Sequence, residues 1–145
     1  MEKEQLDDAR RDATQAAVAQ IQADWNAAAA RAWDPAALCK LYCDEAVFFG
    51  GRPGHSVGVG AIRQYFDSYV GIVRSMTLQL VEQQIIALGT DVILAQGYGE
   101  ISLVLADAKR TNPRLRITCV LVRRGDRWQI LQHHFSPTPD VPPLD

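Results

Sequence analysis

Two periodicities divide this chain. Between Lys3 and Trp33, apolar positions recur at helical spacing, at Leu6, Ala9, Ala13, Ala17, Ile21, Trp25, Ala28 and Ala32. The stretch is rich in alanine and free of glycine and proline. It predicts one long helix whose charged first turns are weakly held. Asp34 then Pro35 is a cap followed by proline at the first helical position, so a short second helix is expected from Pro35 to about Cys43, presenting Leu38, Leu41 and Tyr42. Ala46-Val47-Phe48-Phe49 reads as a strand, stopped by Gly50-Gly51-Arg52-Pro53-Gly54. A loop through His55 and Gly58 leads to a third helix, about Ala61 to Val73, with Ile62, Tyr65, Phe66 and Tyr69 on its apolar stripe.

Beyond that the pattern alternates with period two. Strands are expected over Met76 to Leu88, Val92 to Leu105, Leu115 to Arg123 and Trp128 to Phe135. Turns fall at Gly89-Thr90-Asp91 and Gly125-Asp126, with a longer polar connection from Asp107 to Pro113. The proline-rich tail after Ser136 cannot continue a sheet. Helices followed by a meander of long strands indicate an α+β fold with helices on one face of the sheet. No linker or repeat interrupts residues 1–145, so one domain is expected, with a core over about 17–139.

Alternation sorts the faces. Ile93, Ala95, Gly97, Gly99, Ile101 and Leu103 share one face with Ile117, Cys119 and Leu121, and these should meet the helices. Gly97 and Gly99 inside a strand suggest a bend or a close approach to the backbone. The opposite face is expected to carry Tyr98, Glu100, Arg116, Thr118, Val120, Val122, Trp128, Ile130 and His134. It is too apolar for a solvated surface, and a second copy of the chain is the simplest cover.

Composition narrows the function classes. The hydrophobic fraction is 48%, the charged fraction 22% and the formal net charge -2, with a pI near 5.9. Nothing here suggests a nucleic-acid or membrane partner. The basic stretch Lys109 to Arg116 is broken by Thr111, Asn112 and Pro113 and reads as a hairpin loop. No run approaches the length of a membrane helix, the N-terminus lacks a signal-peptide core, and the three cysteines lack metal or secretory spacing, so a reduced, cytoplasmic setting is expected. Cys39 and Cys43 would share a helix face as small buried hydrophobes. No nucleotide-binding glycine fingerprint, metal cluster or paired nucleophile is present, and no cofactor is expected.

Several segments in order carry a family resemblance: Ala32-Trp33-Asp34-Pro35, Leu38…Leu41-Tyr42, Asp44-Glu45-Ala46-Val47, Arg116-Ile117-Thr118, Arg123-Arg124-Gly125-Asp126-Arg127-Trp128-Gln129-Ile130 and Gln132-His133-His134-Phe135-Ser136. From about Ala17 to Pro139 the chain resembles the nuclear transport factor 2-like superfamily. Within it, the chain is similar to SnoaL-like proteins and to the association domain of calcium/calmodulin-dependent protein kinase II. The resemblance implies a cone: helices against a strongly curved, mixed, mostly antiparallel sheet, with a cavity at one end and dimers through the outer sheet face. It implies no single activity. The steroid-isomerase branch places its carboxylate in the region matched here by Phe48-Phe49-Gly50-Gly51, which holds no acid. The kinase association domain lines its pocket with arginines at positions matched here by Gly99, Cys119 and Phe135.

What remains is an apolar chamber for a small molecule. Its candidate lining is Trp25, Phe49, Tyr65, Tyr69, Gly99, Cys119 and Phe135, with His55 in the loop at its mouth. Trp25 is plain core unless its indole N–H meets a void, and the two tyrosines have the same packing alternative. Adjacent strand residues point to opposite faces, so only one of His133 and His134 serves the chamber. Parity with Phe135 and Leu131 assigns His133 inward, as a general base or hydrogen-bond donor, or as a satisfied histidine at the rim. Two functions stay open. One is binding of a small apolar metabolite, with cofactor-independent acid–base turnover through His133. The other is a non-catalytic oligomerisation module acting through the outer face.

Overall fold

The computed structural model describes residues 1–145. The helix α1 covers Glu2–Ala29, and burial begins only at Ala17, continuing through Val18, Ile21, Trp25, Ala28 and Ala29. The first half projects into solvent, as its all-round charge requires. Helix α2 is a single turn, Pro35–Cys39, capped by Asp34, whose carboxylate accepts from Ala37 N–H at 3.1 Å. Strand β1 then starts at Tyr42 and runs to Phe49. The expected helix through Cys43 is therefore too long: Tyr42 and Cys43 belong to the strand, and Cys39 and Cys43 share no helix face. Tyr42 is a strand former that pairs with Ile130 of the last strand, and this tertiary pairing overrides the local helical spacing.

A two-residue strand β2, Ser56–Val57, precedes α3, Val59–Asp67. The meander follows as β3 Val73–Ala87, β4 Val92–Leu105, the short β5 Arg110–Thr111, β6 Arg114–Arg124 and β7 Arg127–Pro137. The sheet order is β2-β1-β7-β6-β4-β3, with β5 beside β4. All pairs are antiparallel except β1 with β7. The architecture is α+β, a curved open mixed sheet with α1 across its concave face.

Bulges generate the curvature. In β3 the register shifts between Val81 and Gln84, and Glu82 takes a φ of 53°. Opposite it, a Cβ on Gly97 would lie 2.6 Å from the Glu82 carbonyl oxygen. Gly97 is thus a glycine because the bulge leans on its backbone. A second bulge lies in β7. Val120 pairs with Gln132, but the adjacent Leu121 pairs with Ile130, leaving Leu131 as the extra residue.

That bulge corrects the expected outer face. Ile130, opposite Leu121, is 0% exposed in the core, and Trp128 lines a groove beside Ala13, Ala17 and Gln20 of α1. Both were expected on the outer face by simple alternation, which the extra residue reverses. Tyr98, Val120 and His134 retain their outer positions, beside Leu94, Thr118 and Gln132. Val122 also alternates outward but is buried.

Candidate functional site

Strand β1 positions the site through its parallel pairing with β7. Phe48 pairs with His133 and faces the core, whereas Phe49 pairs with His134 and faces out. Phe49 is 45% exposed and stacks on His55 at 4.5 Å between ring centroids, with His134 5.5 Å away on the same side. The expected pocket role of Phe49 is thus placed on the wrong face, and His55 packs with it outside. Phe48 is the inward neighbour.

His133 faces inward, as expected, but not into a cavity. It is 3% exposed, and its Nδ1 lies 2.7 Å from the Tyr42 hydroxyl. Phe135, Tyr42, Phe48 and Trp25 surround it, with centroids 4.2, 5.8, 6.0 and 6.0 Å away. Burial, with a smaller contribution from His134, pushes its pKa down to about 3, so the ring is neutral at pH 7. Burial likewise raises the Tyr42 hydroxyl well above its ordinary range. The two form a neutral polar pair within an aromatic core. Tyr42 was not recognisable as the partner because its spacing continued that of α2.

Two more expected lining residues sit in packed core. A Cβ on Gly99 would lie 2.3 Å from Cδ1 of Ile117 and 2.9 Å from Cδ1 of Leu78, so their side chains fill its space. Cys119 pairs with His133 across the strands, and burial pushes its thiol up to about 12.

The cavity lies beside this core, near the start of β6, and shares Trp25 and Phe135 with it. It measures about 150 Å³ and is lined by Trp25, Trp33, Gly51, Tyr65, Phe66, Tyr69, Val73, Met76, Ile101, Leu103, Pro113, Leu115 and Phe135. Four expected residues are thereby brought together: Trp25, Tyr65, Tyr69 and Phe135. The rest are Phe66 of α3, Trp33 between α1 and α2, Gly51 of the glycine-rich loop, and residues of β3, β4 and β6 with Pro113 beside them. The Trp33 indole N–H is satisfied by the Phe66 carbonyl at 2.9 Å. The Trp25 indole N–H is buried with no hydrogen-bond partner, which is uncommon for a tryptophan.

The polar part of the wall is a phenol pair. Tyr65 and Tyr69 are one turn apart, with hydroxyls 3.3 Å from each other. The Tyr65 hydroxyl accepts from Gly51 N–H at 2.8 Å, tying the glycine-rich loop to α3. Arg52 completes the tie: its Nε donates to Ser68 Oγ at 2.7 Å, and its guanidinium lies 4.4 Å above the Tyr69 ring. Burial raises the pKa of Tyr65, with the Tyr69 hydrogen bond adding to it, so its hydroxyl stays protonated and able to donate. A wider groove of about 710 Å³ lies beneath the first half of α1, but Arg10, Arg123, Asp126 and Gln20 line it beside apolar side chains. No cluster of three or more His, Cys, Asp or Glu side chains is placed to hold a metal ion. No helix is long and apolar enough to cross a membrane.

The fold agrees with what the chain resembles. No match was found among curated proteins by sequence. A solved structure from Xanthomonas campestris, named for a calcium/calmodulin-dependent protein kinase II association domain, is 24% identical, with a TM-score of 0.76 over 86% of this chain and 87% of the other. A Novosphingobium aromaticivorans protein named for scytalone dehydratase is 9% identical, with a TM-score of 0.78 over 90% and 88%. Hexachlorocyclohexane dehydrochlorinase LinA-type3 from Novosphingobium barchaimii is 16% identical, with a TM-score of 0.67 over 94% and 99%. Solved structures named for the nuclear transport factor 2-like superfamily, from Salmonella enterica, and for a cystatin-like fold, from Nostoc punctiforme, match with TM-scores of 0.70 and 0.68, and together these likenesses show that fold. Residues 18–140 match the family model for the SnoaL-like domain, and the chain belongs to that family.

Proposed function

We propose that this chain binds a small, largely apolar, ring-sized molecule in the cavity between Trp25, Tyr69 and Phe135. The wall carries the reading: 11 of its 13 residues are hydrophobic, and none bears a charge. An apolar cavity of roughly 150 Å³ admits a molecule such as benzene. Drug-sized ligands and cofactors usually occupy about 300–1,000 Å³, so a single ring suits this space and a nucleotide does not. Thermal unfolding in rising concentrations of toluene tests the reading. A ligand that binds only the folded state raises the midpoint. The wild-type midpoint should rise, and a Leu115→Trp variant, its cavity filled, should not respond. A wild-type midpoint indifferent to toluene would contradict the proposal.

The relatives named for a dehydratase and a dehydrochlorinase support, as a finer form of this proposal, acid–base conversion of the bound molecule without a cofactor. Tyr65 and Tyr69 are the proton-bearing groups available for it at the cavity. His133, paired to Tyr42 and outside the wall, is better suited to holding the core polar pair.

The outer sheet face favours a second, compatible proposal: a homodimer. Leu94, Tyr98 and Val120 form a half-exposed apolar stripe there, extended by Ile86 at 53% exposure. Sedimentation of wild type and Val120→Lys tests it. A wild-type dimer that the lysine dissociates supports the proposal, and a wild-type monomer contradicts it.

A further inference from the structure

The hydrogen-bond inventory of the cavity wall is unbalanced. Tyr65 and Tyr69 carry two phenolic protons between them, and only one proton can lie between their oxygens, 3.3 Å apart. Gly51 N–H donates to Tyr65 and so uses an acceptor site, not a proton. Neither hydroxyl has another partner in the chain. Whichever tyrosine donates to the other, one phenolic O–H is left free. The wall thus has a surplus phenolic donor, and it offers no carboxylate, side-chain amide or imidazole.

We infer that the occupant is a neutral ring-sized molecule bearing a hydrogen-bond acceptor, a carbonyl oxygen being the best fit, and that the Tyr65–Tyr69 pair supplies its donor. This rests on the binding reading above and gives it a substrate class. A neutral acceptor satisfies a donor that would otherwise remain unpaired in an apolar site. A charged ligand lowered among these residues would meet no compensating charge on the wall itself, Arg52 being held over the Tyr69 ring and bonded to Ser68, and such burial is costly. The pair is also tolerant of losing one member. Without Tyr69, the Tyr65 hydroxyl still accepts from Gly51 and turns its own proton to the ligand.

The test compares toluene, acetophenone and benzoate, three single rings that differ in one substituent. Affinities are read from the indole N–H resonances of Trp25 and Trp33 in the labelled protein. Acetophenone should bind more tightly than benzoate. In Tyr65→Phe/Tyr69→Phe, the ratio of acetophenone to toluene affinity should fall by about tenfold, the worth of one hydrogen bond. In Tyr69→Phe alone the ratio should stay within about twofold, well under that hydrogen-bond value. Wild-type protein supplies a measurement independent of folding of the variants: the carbonyl stretch of bound acetophenone should lie at lower frequency than in hexane. Toluene binding with an unchanged ratio in the double variant, benzoate binding more tightly than acetophenone, or an unshifted carbonyl band would each overturn the acceptor assignment alone. Failure of all three rings to bind would overturn the binding reading together with it.

Discussion

The side-chain amide of Asn26 is bonded twice to the backbone of Leu78, donating to its carbonyl at 3.0 Å and accepting from its N–H at 2.8 Å. One turn earlier, Gln22 accepts from Leu80 N–H at 2.7 Å. Strand β3 is the edge of the sheet, and α1 closes that edge with amides where another strand would otherwise pair. Replacing Asn26 with leucine keeps the volume but leaves both Leu78 groups without protein partners. Urea denaturation should show a loss of about 2 kcal/mol, and Gln22→Met should lose less because one bond is removed. Equal stability of Asn26→Leu and wild type would contradict this role.

The Tyr42–His133 pair has a pH signature. Burial holds His133 at about 3, below its ordinary value of 6.5. Between these values the unfolded chain binds a proton that the folded chain does not. Stability therefore rises with pH across this window and is lost as pH falls through it, by up to about 1.4 kcal/mol per pH unit. Tyr42→Phe/His133→Leu removes both partners and should flatten the limb between pH 6.5 and 5. His133→Leu alone should cost about 1–3 kcal/mol at pH 7 by stranding the Tyr42 hydroxyl. An unchanged acid limb in the double variant would remove His133 as its cause.

Much of this was legible along the chain. Helical spacing located α1, Asp34-Pro35 marked the start of α2, and alternation placed His133 inside and His134 outside. Tyr65 and Tyr69 were recognisable as cavity candidates because they fall on one stripe of the expected third helix, although α3 itself ends at Asp67 and Tyr69 lies in the turn after it. What escaped depends on pairings between distant residues. Leu131 is an unpaired bulge residue only because Leu121 and Ile130 oppose each other, and that single insertion moves Ile130 and Trp128 to the helix side. Phe48 rather than Phe49 points inward because β1 lies parallel to β7 in a register that no local pattern reveals. The cavity wall likewise combines Trp33, Met76, Leu103, Pro113 and Leu115, which only the curvature of the sheet brings together.

The two interior strand glycines should differ in their response to alanine. At Gly97 the new Cβ would meet the backbone carbonyl oxygens of Glu82 at 2.6 Å and Val81 at 2.9 Å, and at Gly99 it would meet the ends of Ile117 and Leu78. A bulge cannot yield as a side-chain terminus can. Gly97→Ala should therefore cost more than Gly99→Ala, with the latter near the usual overpacking cost of about 1–3 kcal/mol. Chemical denaturation of both variants checks the order, and a reversed order would contradict the bulge contact.

The glycine-rich loop should respond separately from the core. Arg52→Ala removes the bonds to Ser68 and the stacking over Tyr69. These groups are exposed, so global stability should change by no more than about 1 kcal/mol. Hydrogen exchange of the Gly51 amide should accelerate while that of β6 stays unchanged. Unaltered Gly51 exchange would show that Tyr65 alone holds the loop.

Occupancy of the cavity is the central claim, and a crystal soaked in bromobenzene measures it most directly. Bromine anomalous density is expected inside the wall formed by Trp25, Tyr69, Leu115 and Phe135. Density confined to the groove beneath the first half of α1, or an empty cavity at saturating bromobenzene, would contradict it.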